Sequence, residues 1–239
     1  MREQETRIEY GGEELELFAD ATNWKTYWSA ALRPFIGGDV IEVGAGIGTS
    51  TPYLLPAEPK SWLCLEPDPA LAAHIDERIA GGELPAVCRS RVGVLADLET
   101  ELQADTITYI DVLEHIEHDE AEVEQAAMRL RPGGRLVVLA PAFNIVFSPF
   151  DKAVGHFRRY SRSDATRLTR PGLRLEKSFY LDGVGLALSL ANRLLLKSDL
   201  PTRQQIGFWD RFVVPVSRIS DHVTAPFFGR TIIMVFRRI

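Results

Sequence analysis

The chain has 239 residues, 46% hydrophobic and 25% charged, proportions that allow a substantial core and exclude collagen-like, low-complexity and wholly disordered classes. Net charge is −6, but the signs are segregated: residues 1–120 carry 24 acidic and 8 basic side chains, residues 121–239 carry 9 acidic and 19 basic. The uniformly basic footprint of a nucleic-acid binder is absent, while the acidic half suits a cationic ligand and the basic half an anionic substrate or surface.

In chain order, the opening MREQETRIEYGGEELE has no apolar signal core. Residues 20–35 read as a lid or packing helix, with Trp24, Tyr27 and Trp28 near its start and Pro34, Gly37 and Gly38 at its close. Short β-branched runs then alternate with amphipathic stretches. Strands are predicted over residues 40–43, 62–65, 91–95, 106–110 and 135–139, and helices over 49–55, 69–80 and 121–130, the last stopped by Pro132-Gly133-Gly134. This alternation predicts an α/β fold with a parallel sheet. Cys64 and Cys88 lie in apolar runs and make no disulfide framework, which fits a reducing, cytoplasmic setting. An irregular, aromatic and Arg-rich stretch runs from Pro141 to Pro171. A strand over 173–180, amphipathic segments over 184–197 and 204–219, and a final strand over 231–236 follow. The longest apolar stretch, 183–196, is broken by Asn192 and Arg193 and is too short to span a bilayer, so no integral membrane contact is expected.

The strongest local signal is Val40-Ile-Glu-Val-Gly-Ala-Gly-Ile-Gly-Thr-Ser50, a buried strand running into glycines and then a helix. Gly44 and Gly46 let the backbone turn and approach a ligand, and Gly48 permits close contact with the helix start; a purely structural turn is the alternative. The spacing is G-x-G-x-G with Thr49 where a dinucleotide fingerprint needs glycine, which weakens a pyrophosphate reading. Glu66, in Leu63-Cys-Leu-Glu-Pro-Asp68, stands at the end of the second strand, where a carboxylate can accept from a ribose diol or simply be solvated. Asp97 and Leu98, in Val94-Leu-Ala-Asp-Leu98, end the third strand and can accept from and cover an adenine.

Together with YIDVLEHIEHD and LRPGGRLVVLAP, the segments IEVGAGIG, LEPD and ADL resemble the successive motifs of class I S-adenosylmethionine (SAM)-dependent methyltransferases over roughly residues 40–141. The resemblance implies a Rossmann-like seven-stranded sheet, mostly parallel with the last strand inserted antiparallel, plus helical cap elements. It also implies that Glu42 and the loop Gly44, Ala45, Gly46, Gly48 hold the methionine moiety, Glu66 and Pro67 the ribose, and Asp97 with Leu98 the adenine, while Asp111 and Val112 flank the cofactor. The expected organisation is one domain over 1–239: a lid (1–36), a cofactor-binding core (37–141) and an acceptor-side cap with edge strands (142–239). Acidic residues suit a sulfonium cation better than phosphate-binding lysines would.

Methyl transfer needs alignment, exclusion of water and, for a protonated nucleophile, a base. His115 lies just past the fourth strand, either as that base or bonded to backbone. Gly155-His-Phe-Arg-Arg-Tyr160 resembles a G-H-x-R-R-Y element of a small-molecule subgroup of these enzymes, with His156 a candidate base, Tyr160 a hydrogen-bonding group and Arg159 an anion anchor. Alternatively the arginines pair with acidic side chains and Tyr160 packs the lid. Trp24, Tyr27, Trp28 and Phe143 are candidate acceptor-pocket residues. The expectation is a metal-independent, cytoplasmic enzyme that converts SAM to S-adenosylhomocysteine (SAH) and methylates O, N or C of a small aromatic or amphiphilic acceptor, with no nucleic-acid partner. The 22 arginines against 5 lysines suggest a high-GC genome, where such enzymes tailor natural products. A lipid or quinone acceptor is the alternative, and a nicotinamide-dependent oxidoreductase or a non-catalytic binding protein represents other classes. Attachment to a membrane surface through Leu186, Leu190 and Leu194 stands beside burial of that helix.

Overall fold

The sheet has seven strands in the order β3-β2-β1-β4-β5-β7-β6, parallel from β3 through β5, with β7 antiparallel to both β5 and β6. The computed structural model describes residues 18–57, 59–195, 202–225 and 227–239, with backbone alone for 192–195; most of the expected lid, residues 1–17, lies outside the described residues. In chain order the elements are α1 (Thr22–Leu32), β1 (Asp39–Val43), α2 (Thr51–Leu54), β2 (Ser61–Glu66), α3 (Pro69–Ala80), β3 (Cys88–Val92), β4 (Ala104–Ile110), α4 (Asp119–Arg129) and β5 (Leu130–Pro141). After these come α5 (Pro149–Ala153), α6 (Arg162–Arg167), β6 (Leu173–Leu181), α7 (Gly183–Leu195), α8 (Arg203–Phe208), a π-helical turn (Trp209–Val213), α9 (Val214–Thr224) and β7 (Thr231–Arg238). This is the parallel α/β sheet that the alternation predicts, with the antiparallel insertion of the last strand that the resemblance implies.

Alternation along the central strands explains why helices cover both faces. Ile41, Ile107, Tyr109, Leu136, Val138, Met234 and Phe236 pack on the side of Val123, Ala126 and Ala127 of α4. Val40, Trp62, Cys64, Val137, Leu139 and Val235 pack on the other side, with Trp28 and Leu32 of α1, Ile75 of α3, and Trp209 and Val213. The α3 helix runs over the predicted residues because Asp68 caps it, accepting from Ala70 N at 2.7 Å, with Pro69 in the first turn. Two strands differ from the prediction: β5 starts at Leu130 and takes in the Pro132-Gly133-Gly134 read as a helix stop, and the third strand is displaced. It ends at Val92, since Gly93 turns away at φ 144° and Leu95–Asp97 form a 3₁₀ turn, so the expected strand over 91–95 is displaced toward the N-terminus.

The N-terminal helix is capped from the far end of the chain. Trp24 N and Asn23 N donate to Asp210 at 2.8 and 3.2 Å, and the Tyr27 hydroxyl donates to Asp221 at 2.8 Å. These bonds hold α1 against the C-terminal helices and over the carboxyl edge of the sheet. Leu186 is buried and Leu190 is exposed, while the Leu194 side chain lies outside the described residues; among these residues no helix is long and apolar enough to cross a membrane.

Candidate active site

The ends of β1, β2, β4 and β5, the turn after β3 and the start of β7 open into one cavity of about 1170 Å³. That exceeds the roughly 300–1,000 Å³ usual for a single small ligand and gives room for a cofactor and a second small molecule.

At Gly44, β1 turns out of the sheet. Its φ is 68°, and a Cβ there would lie 2.5 Å from Val112 Cγ2, so only glycine fits. The amides of Gly44 and Ala45 donate to Leu65 O at 2.7 and 3.2 Å, which draws the loop over β2. Gly46, at φ 57°, then donates its N–H to Glu66 Oε2 at 2.8 Å, while Asp68 N donates to Glu66 Oε1 at 3.0 Å. Burial raises the Glu66 pKa, and the two backbone N–H donors oppose that shift. A carboxylate has about four acceptor sites, so two bonds leave capacity for a ligand diol. Across the cavity Asp111 follows β4 at φ 53°, open to the cavity, its pKa raised by the desolvating walls around it against the opposing charge of Arg230.

The opposite end is polar and builds on two loops, joined where Phe157 N donates to Glu114 O at 2.8 Å. The rings of His115 and His156 meet edge to face with centroids 4.6 Å apart. Burial and the neighbouring His156 lower the His115 pKa to about 4. His156 Nδ1 lies 2.9 Å from Asp151 Oδ1, and the same buried carboxylate takes two bonds from Arg159, at 2.8 and 2.9 Å, and one each from Ser148 N and Oγ. Those donors and cations hold the Asp151 carboxyl well below the usual range against its burial. The fully buried Glu114 places Oε1 4.0 Å from His156 Nε2. Arg230, half-buried, lays its guanidinium 5.0 Å from the centroid of the Trp209 ring, and Phe18, Trp24, Trp28 and Trp209 form an aromatic wall.

Of the residues expected to hold cofactor, Gly44, Gly46, Glu66, Pro67, Asp111 and Val112 line the cavity. Ala45 and Gly48 shape the loop from behind. Glu42 does not reach the cavity: its carboxylate is locked beneath the loop, accepting from Trp62 Nε1 at 2.8 Å and Thr51 Oγ1 at 2.9 Å. Asp97 and Leu98 are displaced with the third strand. Asp97 folds back to accept from Val94 N at 2.8 Å and Leu98 is buried in the core, so Gly93 and Val94 line the cavity in their place.

Among the expected acceptor-side residues, Trp24, Trp28, His115, His156 and Arg159 face the cavity. Tyr160 does not; it is fully buried, its hydroxyl donating to Leu113 O at 3.0 Å and to Asp119 at 3.1 Å. Tyr27 is spent on Asp221, and Phe143 stacks on Tyr180 at 4.7 Å. Sequence reasoning missed Trp209, Arg230, Glu114 and the anchoring role of Asp151. The signal for Arg230 was available: an antiparallel last strand pairs its first residue, Thr231, with Pro141 at the end of β5, so the preceding residue must stand at the ligand edge.

Residues 41–136 match the family model described as Methyltransferase domain. Among solved structures, geranyl diphosphate methyltransferase in complex with SAM is 15% identical with a TM-score of 0.64, covering 98% of this chain and 93% of that one. The [4+2]-cyclase SpnF is 13% identical with a TM-score of 0.61, covering 95% and 94%. Mitomycin 7-O-methyltransferase MmcR is 18% identical with a TM-score of 0.58, covering 96% of this chain and 58% of that one. Comparison with curated proteins found no match. At these identities the structures share the fold, and a cyclase among them shows that the fold alone does not set the reaction.

Proposed function

We propose that the chain is a SAM-dependent methyltransferase acting on a small aromatic or amphiphilic acceptor. The observation that carries this reading is the cradle of Gly44, Gly46 and Glu66, closed by Asp111 and Val112, in a cavity with space for a second molecule. Bound there, the cofactor supplies an electrophilic methyl group on a sulfonium. Glu66 accepts from the ribose diol, Gly93 and Val94 border the adenine end, and Asp111 offsets positive charge near the reacting centre. Trp24, Trp28 and Trp209 exclude water and hold a planar acceptor. His115 and His156 flank the reacting atom and are the groups placed to take its proton. With Arg159 neutralised by Asp151, an anionic group on the acceptor falls to Arg230. Calorimetric titration with SAH tests the reading: one site is expected, and no binding by the intact chain would refute it.

A lipid or quinone acceptor is the second reading, favoured by a stripe of exposed Phe208, Phe212, Val216, Ile219 and Val223 on the outer side of α8, the π turn and α9. Trp209 and Val213 on the inner side of the same run are buried. Arg211 and Arg218 flank the stripe, the arrangement of a helix resting on an anionic bilayer surface. Co-sedimentation with phosphatidylglycerol vesicles is expected under this reading and is reduced in Phe212→Asp; a chain that stays in the supernatant removes its support.

A further inference from the structure

We propose that Glu114, His115 and His156 form a binding site for a divalent transition-metal ion at the acceptor end of the cavity, a departure from the metal-independent enzyme that the sequence suggests. One ligand atom from each lies within 4.8 Å of the other two, and all three residues line the cavity. Metal–ligand bonds of about 2.0–2.2 Å bring neighbouring ligand atoms to roughly 3 Å apart, so the side chains close by an ångström or two around an ion. The donor set, two imidazoles and one carboxylate, suits a transition ion better than magnesium and leaves coordination positions open on the side of the acceptor.

The surroundings of His156 are those of a metal-ligating histidine. A ligating imidazole holds its second nitrogen to a carboxylate or a backbone carbonyl, which fixes the tautomer and turns the free nitrogen to the ion. His156 has its Nδ1 2.9 Å from Asp151, leaving Nε2 toward Glu114, and Asp151 is itself clamped by Arg159 and Ser148. The His115 ring lies against Gly155 of the loop that carries His156, its Nδ1 on that side. Asp151 is therefore a positioning residue. Glu114 and His115 share one 3₁₀ turn after β4, and the Phe157–Glu114 backbone bond fixes that turn against the loop carrying His156. With the ion bound, the two imidazoles act as ligands in place of the proton-accepting role above.

The inference does not rest on the cofactor reading, and its test keeps the two apart. The full chain, stripped with chelator, is titrated with Co²⁺ while the visible absorption of the coordinated ion and the heat are followed. One Co²⁺ per chain is expected, with affinity at least tenfold weaker in Glu114→Gln and in His156→Ala, and about 10–100-fold weaker in Asp151→Asn. SAH titrations on the same samples report folding and the cofactor site independently: loss of SAH binding by the intact chain refutes that site and leaves the Co²⁺ result standing. Absence of saturable Co²⁺ binding by the intact chain, or unchanged affinity in both Glu114→Gln and His156→Ala, would overturn the proposal.

Discussion

Glu42, next to last in β1, and Glu66, last in β2, are both buried, yet their partners assign them to different work. Glu66 is held by the backbone amides of Gly46 in the glycine loop and of Asp68 in the turn after β2, and Glu42 by the side chains of Trp62 and Thr51 beneath that loop. Glu66→Ala is expected to weaken SAH binding by about 1–3 kcal/mol, because a ribose diol loses its acceptor; calorimetry measures it. Glu42→Gln is expected to act on stability instead. Burial raises the Glu42 pKa from 4.5 to about 7, so the folded chain binds that proton more tightly than the unfolded chain does. Stability therefore falls as pH rises from about 4.5 to 7, and Glu42→Gln flattens that decline by on the order of 2–3 kcal/mol in urea unfolding compared at pH 5 and pH 8. Glu66 was legible in the sequence because β2 ends where its apolar run ends. Glu42 was misread because a motif position does not reveal that Trp62, twenty residues on, will take its carboxylate.

The elements that alternate in the first 141 residues were legible because the central strands β1, β4 and β5 are largely buried on both faces and a helix such as α3 carries its own cap and first-turn proline. Contacts between distant segments were not. The cap of α1 comes from Asp210, which no local pattern of Ser, Thr or Asp near residue 22 announces. Asp210→Ala is expected to cost about 1–2 kcal/mol in thermal unfolding, as the loss of an N-terminal cap does. Tyr160→Phe is expected to keep turnover while losing about 1 kcal/mol, since its hydroxyl serves Leu113 and Asp119 and not the cavity. A large fall in turnover at unchanged stability would return Tyr160 to the chemistry. The third strand shows why Asp97 was misplaced: a glycine at φ 144° ends β3 at Val92, and apolar content alone carries the eye on to Leu95.

Over the whole molecule, folding joins the acidic and basic halves. Arg158 and Arg167 both meet Asp119 at 2.8 Å, and Arg131 bridges Asp39 and Asp105 at 2.8 and 3.0 Å. Much of the basic run after residue 157 is thereby paired, and this pairing depends on tertiary neighbours that charge counts along a chain do not show. The partners depress carboxylate pKa values: Asp39 falls from 3.8 to about 2, chiefly through hydrogen bonds from Ser61 and Lys60, and Asp105, Asp119 and Asp151 are lowered too. Lowered carboxylates stabilise the fold above their ordinary values, and that contribution is lost as pH falls from about 3.8 toward 2. A steep acid transition in that window, followed by circular dichroism, is expected, with the buried Asp151 and Asp119 contributing more than the partly exposed Asp39. The central claim is the proposal that glycine backbone and the Glu66 carboxylate, at the carboxyl edge of the sheet, cradle an adenosyl group. Isothermal titration of the full chain with SAH addresses it most directly: the account predicts a single site per chain that weakens about 5- to 150-fold in Glu66→Ala, and a silent titration, or one that the substitution leaves unchanged, would contradict it.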